Sequence, residues 1–331
     1  MSTHAVKIIE IGEIKPHENA ERLEIVPIGG WQAVVKKGDF KRGDRAVYIE
    51  PDYVVPTARP EFSFLAKDGK DAHRLKAVRL RGALSFGLLI HLPSDLSSRA
   101  VGDNVMDDLG IVRWVPPVRP FRGGSDDHEL PQDQAPKVFA PKFDLENIIN
   151  FMDIVTDGEP VVVTEKIDGG NAKFTCVDGT FFMGSRNRWL RPDRDHFQSR
   201  SCKAHPEIEA WCRANPGLVL YGEVYGPVQA LRYGLREPRF AAFAALMHDG
   251  SWMDQADLRV SLHVHGTPIA PLLYEGPFDL SIIRDLAEQD SRIGPKGHMM
   301  EGVVIVPAKE RRHEEIGRVA LKYISNRYWT S

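Results

Sequence analysis

Six short runs rich in β-branched and aromatic residues fill the first hundred positions of the chain, with no helical stretch between them: Val6–Ile11, Arg22–Ile28, Gln32–Val35, Ala46–Ile49, Leu75–Leu80 and Gly87–Leu92. The breaks are turn formers, Gly29-Gly30, Lys37-Gly38-Asp39 and Arg42-Gly43-Asp44. Strands this short and this closely spaced predict a small closed or nearly closed barrel.

The texture changes between Val115 and Pro141, where Pro116-Pro117, Pro120, Gly123-Gly124-Ser125-Asp126-Asp127, Pro131 and Pro136 replace the apolar runs. Turn formers and charges of this density predict a linker. Beyond it, strand-like runs (Val161–Glu165, Ala172–Cys176, Leu218–Tyr221, Phe240–Leu246, Gly302–Val306, Arg318–Tyr323) alternate with two amphipathic helical periods, Pro206–Ala214 and Leu280–Gln289. That mixture predicts an α+β domain with antiparallel sheets. The expected organisation is therefore a barrel over 1–115, a linker over 116–140 and an α+β domain over 141–331, in keeping with two domains for 331 residues.

Composition narrows the function classes. A net charge of −3 argues against a chain that coats nucleic acid by bulk charge, but leaves room for a local basic groove. The three cysteines, Cys176, Cys202 and Cys212, form neither a CxxC pair nor a zinc-spaced cluster, which fits a reducing cytoplasm. Lys7, Glu10 and Glu13 interrupt any apolar signal-peptide core. The apolar run Phe240–Met247 is far shorter than the roughly 20 residues that span a bilayer, so no membrane partner is expected.

Chemistry concentrates in Thr164-Glu165-Lys166-Ile167-Asp168-Gly169-Gly170-Asn171, a strand that runs into a glycine turn with a lysine at its end. A lysine held where a sheet meets a turn, with a carboxylate two residues on, can be oriented and have its pKa lowered for nucleophilic attack. Taken alone, the segment reads as a surface hairpin, since Asp-Gly is a common turn. It is accompanied, however, by Tyr221-Gly222-Glu223-Val224-Tyr225-Gly226, which sets a carboxylate at a second strand end. Met300-Glu301-Gly302-Val303-Val304-Ile305-Val306 sets another at a strand start, and Arg318–Tyr323 brings a second lysine, Lys322.

In this order the motifs resemble those of the covalent nucleotidyltransferases, the ATP-dependent DNA and RNA ligases and mRNA capping enzymes. The matching segments are KIDG (Lys166–Gly169), SRN (Ser185–Asn187), YGEVYG (Tyr221–Gly226), FAAFAAL (Phe240–Leu246), EGVVI (Glu301–Ile305) and LK (Leu321–Lys322). The resemblance implies an adenylyltransferase domain in which Lys166 attacks the ATP α-phosphorus and forms a lysyl–AMP phosphoramide. It implies that Asp168, Glu223 and Glu301 face a divalent cation, Mg²⁺ or Mn²⁺, through bound water, and that Lys322 binds the α-phosphate. Glu165, Asn171, Arg186 and Glu223 would bind the nucleotide, with Phe243, or else Phe240, stacked on adenine. Two positions depart from the pattern: Ala244 stands where ligases of this type commonly carry Asp after the aromatic, and Ala320 replaces the first lysine of a KxK motif. Lys322 is thus left to act alone or with Arg318.

DNA ligases and capping enzymes generally carry an oligonucleotide-binding domain after the last motif; the chain stops soon after Lys322, so none is expected. The segments Ile14–Leu23, Lys36–Asp39 and Arg79–Leu89 look instead like the OB-type barrel of tRNA-binding modules, placed before the ligase core. A basic run, Lys67, Lys70, Arg74, Lys76, Arg79 and Arg81, opposed by Asp68 and Asp71, together with Trp31, Phe62 and Phe64, offers the charge and rings that an OB barrel uses on a strand. The cluster Arg186, Arg188, Arg191, Arg194, Arg200 and Lys203, opposed by Asp193 and Asp195, offers a clamp on ATP phosphates or nucleic-acid backbone. This arrangement resembles the Deinococcus/Naegleria-type RNA ligases, which implies sealing of 3′-OH/5′-phosphate nicks in RNA-containing duplexes by a monomer. Two alternatives stay open: a DNA ligase or GTP-using capping enzyme, and a non-catalytic OB-type RNA-binding protein.

Overall fold

Strand pairing of the N-terminal runs gives β1 (Lys7–Glu10), β2 (Leu23–Ile28), β3 (Trp31–Lys36), β4 (Arg45–Ile49), β5 (Ala77–Leu80), β6 (Ala83–Phe86) and β7 (Leu88–His91) in a computed structural model that describes residues 5–66, 71–114 and 128–330. The order β1-β4-β7 makes one antiparallel sheet, β2 and β3 pair beside Lys15–Pro16, and β5 and β6 form a hairpin. β4 is the central strand because both of its faces are apolar. Val47 and Ile49 enter a cluster with Ile8, Val55, Phe62 and Leu109, while Ala46 and Tyr48 enter another with Ile11, Val26 and Ala33. This explains why its sequence is a continuous apolar run rather than an alternating one. The chain divides into two compact units, this one holding residues 3–119 and 329–331, the other residues 1–2 and 120–328.

The second unit carries two five-stranded sheets. One is ordered β8 (Glu146–Asn147), β17 (Leu321–Ile324), β16 (Gly302–Pro307), β9 (Pro160–Lys166) and β15 (Leu272–Pro277). The other is ordered β12 (Trp189–Leu190), β11 (Thr180–Ser185), β10 (Gly169–Val177), β13 (Val219–Tyr225) and β14 (Arg239–Leu246). All pairings are antiparallel except β8 with β17. Helices α1 (Phe197–Ala204), α2 (Glu207–Ala214) and α3 (Gln255–His265) lie between strands in the sequence, and α4 (Leu280–Ala287) precedes β16. Ile208, Trp211 and Cys212 of α2 and Leu258 and Leu262 of α3 bury against Ala172, Phe174, Cys176, Phe240 and Ala242. The opposite face of that sheet carries the polar side chains Asn171, Lys173, Thr175 and Glu223 beside a smaller apolar cluster of Val219, Tyr221, Ala244 and Leu246.

Several elements differ from the sequence expectation. Arg318–Tyr323 is not one strand: Gly317–Arg318 pairs with Arg312–His313 in a small hairpin, and β17 starts afresh at Leu321. β11, β15, α1 and α3 have no counterpart among the expected elements. Within residues 128–140, Glu129 bridges to Leu190, and Val138 and Ala140 pack against Tyr221 and Trp252; residues 116–127 of the expected linker lie outside the described residues. No described helix is long and apolar enough to cross a membrane.

Candidate active site

The end of β9 and the start of β16 are opposite one another, with Lys166 in register with Gly302. That pairing puts Glu301 beside the lysine, and the Lys166 Nζ lies 2.6 Å from Glu301 Oε1. The glycines permit it. A Cβ on Gly302 would sit 2.1 Å from the Tyr323 carbonyl oxygen of β17, and one on Gly169 would sit 2.3 Å from the Val224 carbonyl oxygen of β13. Both distances are far inside van der Waals contact, so the motif glycines are a condition of the close strand approach that brings the carboxylates together.

Burial alone would lower the Lys166 pKa, yet the charges of Glu301, Glu223 and Asp168 outweigh it and hold the amine above the ordinary lysine range. This corrects the expected lowering: three carboxylates around one ammonium favour the charged form. The carboxylates respond in turn. Burial pushes Glu223 up to about 8 against the pull of Lys166, and burial likewise raises Glu301.

Side-chain alternation separates Lys166 from its neighbour. On β9, Lys166 shares a face with Thr164 and Val162, and Lys322 of β17, reached through Val304 of β16, lies on that same face. Glu165 points to the other side, where it is almost fully buried and accepts from Ser291 Oγ at 2.5 Å and from the Arg292 N–H at 2.8 Å. Each of its oxygens accepts one of these bonds, so Glu165 fastens the 291–294 loop. Burial raises its pKa despite those bonds.

Asp168 is similarly held. Its Oδ2 accepts from the Leu231 N–H at 2.8 Å, its Oδ1 from the Tyr328 hydroxyl at 3.3 Å, and its own N–H donates to the Tyr233 hydroxyl at 2.7 Å. None of these partners was legible from the motif. Asn171 pairs across the sheet with Glu223, and its Oδ1 is buried with no hydrogen-bond partner. Among the described residues no three His, Cys, Asp or Glu side chains converge as a direct cation cage.

Phe243 sits at a β-bulge: the β13 register passes from Tyr221↔Ala244 to Gly222↔Ala242, leaving Phe243 unmatched and re-aimed. Its ring lies 4.5 Å from that of Phe143. Phe240 is fully buried between β10 and β14, edge-on to Phe174, and is core. Arg318 pairs with Glu310 through Nε and Nη2 and lies over the rings of Trp252 and Phe143, while its Nη1 is buried without a hydrogen-bond partner.

The arginine cluster is less bare than its sequence. Arg191 pairs with Asp193 at 3.2 Å and Arg200 with Asp195 at 2.5 Å, as the local charges suggest. Asp144 reaches Arg186, and Glu129 reaches Arg188 at 3.2 Å, so two further carboxylates oppose the run. In the barrel unit Arg74 is spent on Asp52 at 2.6 Å and on the Trp114 ring. Lys76, Arg79 and Arg81 stand exposed on the β5–β6 hairpin, whose tip carries positive φ at Arg81 (50°) and Gly82 (100°). Phe62 is core, Trp31 packs 4.8 Å from Phe86, and Phe64 is exposed. Lys67, Asp68 and Lys70 lie outside the described residues.

Known proteins share both halves. An RNA ligase family model matches residues 159–324, and an OB-fold domain model matches residues 5–92. The Naegleria gruberi RNA ligase with PPi is 28% identical, with a TM-score of 0.80 over 98% of this chain and 97% of that one. A mutant of the same ligase with ATP and Mn is 27% identical, with a TM-score of 0.81 over 98% of each chain, and another with AMP and Mn is 27% identical at 0.82, also over 98% of each. No curated sequence matches the chain.

Proposed function

The chain belongs to the RNA ligase family, and we propose that it seals 3′-OH/5′-phosphate nicks in RNA-containing duplexes at the expense of ATP. The observation that carries this reading is the half-buried Lys166–Glu301 contact set among Glu223 and Asp168, at the positions where the family motifs stand.

In this reading Lys166 Nζ attacks the ATP α-phosphorus, the bond to the β-phosphate oxygen breaks, and pyrophosphate leaves. The amine must first lose a proton, and Glu301 Oε1 is the acceptor beside it. AMP then passes from the lysine to the 5′-phosphate of the nick, and the 3′-OH displaces AMP to form the phosphodiester. Positioning and electrostatics suffice for the last step. Lys322, on the Lys166 face of its sheet, steadies the α-phosphate. Arg186 and Asn171 bind the nucleotide, Phe243 stacks on adenine, and Glu165 acts behind them by fixing the 291–294 loop.

The residues fit a divalent cation: several carboxylates face one ammonium, and Asn171 Oδ1 is buried without a donor. Asp168, Glu223 and Glu301 would hold it through water, as suits a hydrated Mg²⁺ or Mn²⁺ in the absence of a direct cage. Such a cation, when bound, neutralises these carboxylates and so favours the neutral, nucleophilic lysine.

The same reading divides the chain into an OB domain over 1–115, a linker over 116–140 and a catalytic domain over 141–331, acting as a cytoplasmic monomer. Lys76, Arg79 and Arg81, with Arg188 and Arg191, contact the nucleic acid. Incubation with radiolabelled ATP or GTP and a divalent metal tests it. Label is expected from ATP, with none on Lys166→Ala; transfer from GTP alone, or undiminished labelling of the mutant, would sink it.

A further inference from the structure

β10 has two unlike faces. Ala172, Phe174 and Cys176 enter the apolar core beneath the helices, so Asn171, Lys173 and Thr175 occupy the opposite face, the one that Glu223 joins through its pairing with Asn171. Lys173 is only 5% exposed. Its ammonium lies 4.6 Å from the centre of the Trp189 ring, and among the described residues no carboxylate forms an ion pair with it. Burial lowers its pKa, and the charge of Lys142 lowers it further.

A buried cation without a counter-charge is disfavoured, and a lysine beside a second lysine more so. Here the pair is held by design of the strands. Tyr221, directly across from Lys173, donates its hydroxyl to the Pro141 carbonyl at 2.9 Å, which anchors the segment bearing Lys142 over the sheet. The stem of Lys173 runs along Gly184, where a Cβ would meet its Cε at 3.0 Å. The site therefore assembles two positive charges on the nucleotide face, two residues along the strand from Asn171, and among the described residues no carboxylate is ion-paired with either.

We propose that Lys173 and Lys142 form a phosphate subsite adjoining the nucleotide site, with Trp189 as the ring that shelters the Lys173 ammonium until the anion arrives. The phosphate comes either from the pyrophosphate end of ATP or from the RNA backbone, and both offer the oxyanion that two ammonium groups would bind. The inference rests on the RNA ligase reading given above.

Thermal unfolding of the full chain tests it, with Lys173→Met, Lys173→Arg and Lys142→Ala each measured alone, with inorganic pyrophosphate and with a short single-stranded RNA. Without ligand, Lys173→Met should unfold at a higher temperature than wild type, because it removes an unpaired buried charge and keeps the volume. Its affinity, read from the ligand-induced shift, should fall roughly tenfold or more, the scale of a lost charge-assisted bond. Lys142→Ala should weaken the same ligand, and Lys173→Arg should keep part of the response. A loss confined to pyrophosphate assigns the subsite to the ATP tail, and one confined to RNA assigns it to the backbone. Lys173→Met and Lys142→Ala that match wild type with both ligands overturn the subsite. Wild-type protein that takes no label from ATP overturns the ligase reading instead.

Discussion

At the level of single residues, what matters most is how many carboxylates one lysine must satisfy. Glu223 is raised to about 8, so between the ordinary glutamate range and about 8 the folded state holds a proton that the unfolded chain has released. Folding stability of the metal-free protein should therefore fall as pH rises through that window, the reverse of a salt-bridged carboxylate. Glu223→Gln should flatten this slope in denaturant titrations at a series of pH values, with a residual slope from Glu301, whose pKa is also raised. Glu165 makes a separate prediction. Ser291→Ala removes the donor to a buried oxygen and should cost about 1–3 kcal/mol in urea unfolding, with Ser291→Thr restoring part of it. Lys166, Glu223, Glu301 and Lys322 were legible because each stands inside a short motif. Ser291, Tyr233, Tyr328 and Asp144 were not, because their contacts join distant parts of the chain, Ser291 lying 126 residues from Glu165. The face of Glu165 is an intermediate case: period-two alternation beside Lys166 already places it on the other side of β9, whatever the motif suggests.

At the level of elements, strand spacing rather than any side chain sets the site. Gly302→Ala would drive β16 away from the Tyr323 carbonyl and carry Glu301 with it. We expect loss of adenylate labelling together with a stability loss of roughly 1–3 kcal/mol, read by labelling and thermal unfolding of the same preparation. The strands most visible in the sequence were those with apolar faces, such as Val161–Val163 in β9 and Phe240–Leu246 in β14. α1 escaped notice because its sequence, Phe197–Ala204, is mostly polar and shows no apolar stripe, and is fixed instead by the His196 capping box. The bulge at Phe243 was equally invisible, since a register shift depends on the partner strand.

At the level of the whole molecule, the near-neutral total conceals an uneven distribution of charge. Replacing Lys76, Arg79 and Arg81 together by Ala should weaken sealing of nicked RNA while self-adenylation persists, as measured by parallel sealing and labelling assays; equal loss of both would detach the hairpin from nucleic-acid binding. The arginines after β11 belong to a different regime. Arg186, Arg188, Arg191 and Arg200 each hold a carboxylate of the chain itself, from Asp144, Glu129, Asp193 and Asp195. These act as tethered counterions. A phosphate that displaces one releases no mobile salt ion, so binding through this run gains little from dilution of the buffer, whereas binding through the bare hairpin gains the full counterion-release term. The steepness of affinity against ionic strength therefore reports which of the two surfaces a given nucleic acid is using.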